Sequence, residues 1–522
     1  MNTPLECLPD DPELLREIVI AERHNIARLQ EELSAERERT ERLEQLLAEL
    51  RRMKFGRKSE KLDEDQFNLA LDDLEQAIHQ AQAEEEKATP DIKQRGTARR
   101  RAGRPSLPAH LPQVEVVIEP ESKACPCCGG AMHVIGEDSS KRLDVVPAQY
   151  RVIVTRRPKY ACRGCEGAIV QASAPARLIE GGLPTEQMVA NVIIAKYADH
   201  LPLYRQCQAL ARQGIEIDRS TMASWVGFAA AELKPLWRCM RDNLLRSTKL
   251  FVDETEAPVL DPGRGRTKTG YFWAIARDDR PWGGMDPPAV VYCYAPGRGA
   301  KHVATMLDDY VGILQTDGYQ AYKTLVNRHN KAIALAHCWA HARRKFFDIT
   351  KRSPAPIADQ ALQTIKRFYE IEGAIRGQSA GGRRAVRQEK TKPIAESFRA
   401  WCLARLGEVS GKSNIAEALR YVLSHWEGLT RFLDDGRIEI DSNTVERTIR
   451  PIALNRKNAL FAGHDAGAEN WALLASLIET CKLNAVNPAA YLTDILTKLV
   501  NNWPNKRLEE LTPWAWVAAG AV

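Results

Sequence analysis

Three acids could carry chemistry in this chain. Asp253 closes the apolar run Leu250, Phe251, Val252, and Asp317 ends a second run that begins at Val311. Glu446 lies on a helical stretch, 441–450, that opens Asp-Ser-Asn-Thr. Two strand acids and a helix acid in this order can converge at one edge of a sheet. Three carboxylates in one place repel one another unless cations sit between them. A pair of hard divalent metals held by oxygen is therefore expected, most naturally Mg²⁺, with Mn²⁺ as its substitute. Such a pair acts on a phosphodiester by activating the attacking oxygen and stabilising the leaving one. Asp253 would bridge both ions, Asp317 would hold one and Glu446 the other. No covalent nucleophile is needed, because phosphoryl transfer is mainly positioning and charge stabilisation. Arg447, Arg450, Arg456 and Lys457 follow Glu446 and would hold DNA phosphates, making binding salt-dependent. Each acid also has a bland reading: Asp253 as part of a surface patch with Glu254 and Glu256, Asp317-Gly318 as a turn, Asn443 to Glu446 as a capping box. Taken together, in this topological order, they favour catalysis.

A second cluster is made of thiols. Cys125 and Cys128, then Cys162 and Cys165, each have the spacing at which two thiolates grip one Zn²⁺, and two such knuckles complete a tetrahedron. Residues 129–161 between them include a strand-like run that suits an inserted hairpin, and Cys127 is the spare thiol. Basic neighbours allow DNA contact, while a purely structural clip fits equally. His337, Cys338 and His341 resemble a third metal set, but a histidine at a strand-to-helix junction more often packs or hydrogen-bonds, so no metal is assigned there. His341, with Arg343 and Arg344, is expected near the acids.

The elements that must position these groups follow from periodicity. Apolar runs at about 249–253, 270–276 and 289–294, a helix from Lys301 to Tyr310, and a run at 311–318 read as three strands, a helix and a fourth strand. A fifth strand at about 332 runs into a helix. Residues 351–435 are expected to be helical around a loose basic segment, Gly377–Lys392, and 471–522 to be further helix with Trp503, Trp514 and Trp516 packing. Upstream, 203–215 and 218–226 have the outline of a helix-turn-helix with Ser220 as cap; a helical bundle fits the same pattern. Residues 11–52 show two imperfect heptad seams, one of Val19, Ile26, Leu33, Thr40 and Leu47 and one of Leu15, Glu22, Leu29, Glu36, Leu43 and Leu50, which fit a coiled coil and self-association or a solitary amphipathic helix. Between Lys93 and Pro105 six basic residues occur without an acid. Arg101 and Arg104 flank Ala-Gly there, as in an extended arginine pair that follows a narrow minor groove; a solvated linker is the alternative.

Length and composition set the frame. A chain of 522 residues makes several domains, and a net charge of +6 is too mild to argue for nucleic acid by itself. No run reaches membrane-spanning length and the N-terminus lacks a signal-peptide layout, so a cytoplasmic protein is expected. Twelve cysteines in a chain this long point to metal rather than a disulfide scaffold.

The motifs together resemble the large transposase of the insertion sequence sixty-six family, essentially end to end. They are Lys-Phe-Gly-Arg-Lys-Ser-Glu (54–60), the two cysteine knuckles, Val-Asp-Glu-Thr (252–255), Thr-Asp-Gly-Tyr (316–319) and His-Cys-Trp-Ala-His-Ala-Arg-Arg-Lys-Phe (337–346). Asp-Ser-Asn-Thr-Val-Glu-Arg-Thr-Ile-Arg-Pro (441–451) and Asn-Arg-Lys-Asn-Ala-Leu-Phe-Ala-Gly (455–463) complete the set. The family commonly has Asn where Ser442 stands. The resemblance implies a multidomain α+β chain whose ribonuclease H-like α/β catalytic domain, built on a mixed sheet, carries an Asp-Asp-Glu triad at Asp253, Asp317 and Glu446. That domain would occupy 247–350 and 436–470, interrupted by a helical insertion at 351–435. Around it the resemblance implies a helical zipper region (1–92), a basic linker (93–115), a four-cysteine zinc-finger module (116–175), a helical DNA-binding region (176–246) and a C-terminal helical region (471–522). The implied function is Mg²⁺-dependent cutting and joining of element ends by a nucleoid-associated homo-oligomer, with DNA and accessory proteins of the same element as partners. A nuclease of the same fold without strand transfer, and a non-catalytic DNA-binding derivative, are the alternatives.

Overall fold

The computed structural model describes residues 11–13 and 15–30, the single residues Gln113, Glu115, Val117 and Cys127, and 149–518 apart from 162–168, 262–265, 308–309, 329–331, 352–353 and 460–461. The chain divides into two units, Met1–Val154 and Thr155–Val522. In the first, 15–30 are helical, and Val19, Ile26 and Leu29 on the expected seams are exposed. Cys127 is exposed as well. The rest of the heptad stretch, Arg101, Arg104, Cys125, Cys128, Cys162 and Cys165 lie outside the described residues.

The second unit opens with a small antiparallel pair, β1 (Lys159–Ala161) and β2 (Ile169–Gln171). Helices α1 (Glu186–Tyr197), α2 (Leu203–Ala211) and α3 (Arg219–Leu245) follow. Gly214 makes the turn between α2 and α3 at φ +75°, a region glycine enters without a Cβ penalty. Asp218, not Ser220, holds the cap position of α3. That helix runs far past the short second helix expected, because Met222, Trp225, Ala229, Leu233, Leu236, Met240 and Leu244 repeat at helical spacing and are all buried.

A five-stranded mixed sheet comes next: β3 (Lys249–Asp261), β4 (Arg266–Arg277), β5 (Ala289–Ala295), β6 (Gly312–Thr316) and β7 (Ile333–His337). Their spatial order is β5-β4-β3-β6-β7. The first three are antiparallel neighbours; β6 joins β3 in parallel and β7 joins β6 in parallel. Parallel joins require crossovers, supplied here by α4 (Ala300–Leu307) and α5 (Gln320–Arg328). The β5 edge is closed by α13 (Asp465–Leu483): Ser476 Oγ accepts from the Tyr292 amide at 2.8 Å, and Thr480 Oγ1 donates to the Val290 carbonyl at 2.9 Å. Side-chain hydroxyls thus satisfy backbone groups that an open edge would leave to another strand.

Beyond β7 lie α6 (Trp339–Thr350), α7 (Pro356–Ile375), α8 (Ala380–Val386), a π-helical turn at Arg387–Thr391, α9 (Lys392–Glu408), α10 (Asn414–Ser424) and α11 (Trp426–Thr430). These helices share a core around Trp339, whose indole donates to the Leu429 carbonyl at 2.7 Å and whose ring meets Phe368 edge-on. The segment expected to be a loose basic loop is helical. Arg383 and Arg387 are buried because Glu372 of α7 lies between them: Arg387 holds both its oxygens, at 2.8 and 2.7 Å, and Arg383 Nη2 lies 3.4 Å from Oε2. Then come α12 (Asn443–Ala459), α13, α14 (Pro488–Val500) and α15 (Pro513–Ala518). The C-terminal tryptophans pack as expected, with Trp516 buried and its indole donating to Asp494 Oδ2 at 2.8 Å.

Candidate active site

The strand register sets the acids. β3 and β6 pair as Lys249 with Ile313, Leu250 with Leu314 and Phe251 with Gln315, so two residues further along Asp253 is level with Asp317. β6 and β7 pair up to Thr316 with His337, so Asp317 is level with Cys338. Asp253, within the long β3, thus lies on one line with Asp317 and Cys338, which follow the carboxyl ends of the parallel strands β6 and β7. The helix bearing Glu446, α12, packs on β3 and β4.

Long-range bonds fix where α12 starts. Gln315 of β6 donates through Nε2 to the carbonyls of Glu439 and Asp441, at 2.6 and 2.9 Å, and its Oε1 accepts from the Glu439 amide. The buried Lys249 ammonium donates to the Arg437 carbonyl at 2.9 Å, and Arg383 reaches Glu439 Oε1 at 2.7 Å. The approach to Glu446 is therefore stitched both to the sheet and to the helices between β7 and α12. The helix begins at Asn443, so the capping box weighed between Asn443 and Glu446 is not formed. Buried Ser442 stands just before it: its carbonyl accepts from the Glu446 amide at 3.2 Å, and its hydroxyl lies 3.5 Å from Glu446 Oε1.

Electrostatics single out Asp253. Burial, followed by the Glu254 and Asp317 carboxylates and then Glu446, pushes its carboxyl up to about 7, against one favourable bond from the Glu254 amide at 2.9 Å. Glu254, open to a surface reading in the sequence, is nearly buried, with a side chain 3% exposed. Burial and then Asp317 raise its carboxyl, while Arg298 and Tyr322 oppose them. Arg298 Nε donates to Glu254 Oε1 at 2.6 Å and Tyr322 to Oε2 at 3.1 Å. The Arg298 guanidinium also lies 4.0 Å from the centre of the Tyr319 ring. Glu256 is exposed, as a surface acid should be. The sequence signal for Glu254 was its adjacency to Asp253.

Asp317 does form the turn expected of Asp-Gly: its Oδ1 accepts from the Tyr319 amide at 2.8 Å, and Gly318 adopts φ +93°. Tyr421 of α10 donates to the Asp317 carbonyl at 2.9 Å, so that helix buttresses this corner. His337 packs, as expected. It is buried with its ring edge-on to His425, and burial first, then His425, Lys323 and Arg431, depress it to about 3. His341 reaches the acids: its Nδ1 lies 3.8 Å from Glu446 Oε1.

The basic residues after Glu446 divide. Arg447 lines a cleft of roughly 330 Å³ with Arg280 and Arg376. Arg450 and Lys457, four and eleven residues after Glu446, continue its stripe along the helix and are exposed. Arg456 instead donates to the Glu256 carbonyl.

Comparison with known proteins agrees along the chain. Residues 181–470 match the model described as Transposase IS66 family, and 476–514 match its C-terminal element. Residues 122–166 match the zinc-finger binding domain of transposase IS66, which supports structural zinc, and 42–116 match a model described as Transposase C of IS166 homeodomain. Similar chains include three proteins of Sinorhizobium fredii described as uncharacterised. The protein y4qI is 44% identical over 98% of each chain. The protein y4jD is 44% identical over 90% of this chain and 94% of its own. The protein y4hP is 36% identical over 92% and 89%. Among the described residues no helix is long and apolar enough to cross a membrane.

Proposed function

The chain belongs to the IS66 transposase family, and from that premise we propose that it binds the ends of its element and catalyses Mg²⁺-dependent DNA strand cleavage and strand transfer. The observation that carries this reading is the register that sets Asp253 level with Asp317, with Glu446 close enough to raise the proton affinity of Asp253. The sheet order, with three antiparallel strands followed by two parallel ones, supports a ribonuclease H-like catalytic domain over 247–350 and 436–470, with 351–435 as its helical insertion. The donor set fits the metal the family implies: it is all oxygen, and its mutual repulsion is the condition a divalent cation relieves.

In this proposal Asp253, Asp317 and Glu446 hold the ions, Mg²⁺ or Mn²⁺. When bound, these supply activation of the attacking oxygen and stabilisation of the leaving one. The protein's own residues orient the reaction. Arg298 neutralises Glu254, which leaves the other three carboxylates to set the charge of the edge. Arg447, with Arg376, receives a backbone phosphate beside Arg280, whose charge Asp278 already pairs, and Arg450 and Lys457 extend the track along α12. Arg456, held to the β3 backbone, joins the DNA-contacting set from the other side of the helix. Upstream, Cys125, Cys128, Cys162 and Cys165 would bind Zn²⁺, Arg101 and Arg104 would follow the minor groove, and α2–α3 would act as a helix-turn-helix. The exposed seam of the N-terminal helix supports homo-oligomerisation through a coiled coil. Accessory proteins of the same element complete the assembly, which works on DNA in the bacterial cytoplasm.

The test is incubation of the full chain and its accessory proteins with a labelled duplex carrying the element's ends, a target plasmid and Mg²⁺. Joined products that need the metal are expected. Cut but unjoined ends would make the protein a nuclease, and bound, uncut ends a DNA-binding protein; either result overturns the proposal.

A further inference from the structure

Beside the carboxylate edge lies a donor set of different character. Cys338 Sγ, a ring nitrogen of His341 and a carboxylate oxygen of Glu446 all lie within 4.8 Å of one another. Cys338 comes from the end of the β7 line and caps α6, His341 sits in the first turn of that helix, and Glu446 faces them from α12. His341 Nδ1 is shut off from solvent and has no hydrogen-bond partner, although it is 3.8 Å from Glu446 Oε1. An unsatisfied buried nitrogen is costly, and here it lies beside a carboxylate. Ser442 touches the other two donors: its amide donates to Cys338 Sγ at 3.2 Å, and its hydroxyl lies 3.5 Å from Glu446 Oε1. Bonds of this kind hold metal ligands in place from behind.

We propose that Cys338, His341 and Glu446 form a second metal site, for a zinc-class ion, that shares Glu446 with the proposed Mg²⁺ set. A thiolate and an imidazole do not suit Mg²⁺, whereas sulfur, nitrogen and oxygen together suit Zn²⁺ or Co²⁺. Tetrahedral coordination with bonds of about 2.0–2.3 Å puts donors roughly 3.3–3.8 Å apart, so the side chains need to close by about 1 Å. Burial pushes the metal-free Cys338 thiol up to about 11, against the opposing pull of the Ser442 bond. Its thiolate therefore forms as the ion binds, with release of a proton, and its place at a helix N-terminus favours that charge. Three protein donors leave one position open, where solvent or a DNA phosphate oxygen binds. The ion enters from the side of His341 and Glu446, whose side chains are each 28% exposed. Occupation of this site withdraws Glu446 from the carboxylate set, so a zinc-class ion opposes Mg²⁺-dependent chemistry.

The experiment is a Co²⁺ titration of the full chain with its zinc-finger segment already loaded with zinc, without DNA or Mg²⁺, followed by the near-ultraviolet charge-transfer band of a cobalt thiolate. One added equivalent with that band is expected. The band should vanish in Cys338→Ser and weaken at least tenfold in apparent affinity in His341→Asn, a change at a part-exposed position whose fold is checked by circular dichroism. No added thiolate band in the wild type, or a band unchanged in either variant, overturns the site. Because the reading needs neither DNA nor Mg²⁺, its failure leaves the transposase proposal standing. Loss of joining in Asp317→Asn, conversely, says nothing about this band.

Discussion

At the scale of single residues, the repulsion that calls for a metal bears most on one uncomfortable carboxyl. Asp253 titrates at about 7 in the folded protein against an ordinary 3.8, so the folded state holds a proton that the unfolded chain has released. The sign follows: this group's stabilising contribution is complete below its ordinary value and is lost as pH rises towards 7, at about 1.4 kcal/mol for each pH step between the two values. Metal-free Asp253→Asn should therefore melt a few degrees higher than the wild type at pH 8 and alike at pH 4. Mg²⁺ should stabilise the wild type at pH 8 and the variant much less. Differential scanning calorimetry at the two pH values reads this; an Asn variant no more stable at pH 8 would remove the repulsion on which the metal argument depends. The stability gained and the activity lost in one substitution are the expected signs of a site built against its own fold.

At the scale of elements, the stretch before α12 decides where Glu446 points. Glu372 binds Arg387 at both oxygens and neighbours Arg383, which in turn holds Glu439 in that stretch. Glu372→Ala leaves two buried guanidiniums without their shared carboxylate and should cost about 3–5 kcal/mol. Urea unfolding of the variant measures it, and a loss below about 1 kcal/mol, the scale of an exposed pair, would show that the network does not hold the helix. These elements were unequally legible in the sequence. The five strands could be read because Leu250–Val252, Tyr271–Ile275, Val290–Tyr292, Ile313–Leu314 and Ile333–Leu335 are short apolar runs, and two acids follow closely after the first and fourth. Arg383 and Arg387 could not be read as buried. Their neighbourhood is basic and glycine-containing, like a solvated loop, and their partner Glu372 lies on another helix. Glu254 was visible as a second acid, but Arg298, which neutralises it, is brought there only by the folded sheet. His341 was expected near the acids, yet its alignment with Cys338 and Glu446 depends on the angle of α12, which no local pattern encodes.

At the scale of the whole molecule, the proposed function sets a sheet edge charged with carboxylates beside a DNA track of arginines and lysines, and the two must be balanced. Arg447→Ala should lower the slope of log binding constant against log salt by about one, with little change in sequence preference, if it contacts one phosphate. Fluorescence anisotropy at several salt concentrations reads that slope, and an unchanged slope would take Arg447 out of the track. The central claim, that Asp253, Asp317 and Glu446 act as one catalytic set, has a more direct test. Asp253→Asn, Asp317→Asn and Glu446→Gln, each checked for folding and end binding, are compared with the wild type for joining of labelled element ends in Mg²⁺. The account predicts that each binds DNA as the wild type does and yields at least about a thousandfold less product, as expected when a transition-state interaction worth about 4 kcal/mol is removed. Any one of the three joining ends at the wild-type rate would contradict it.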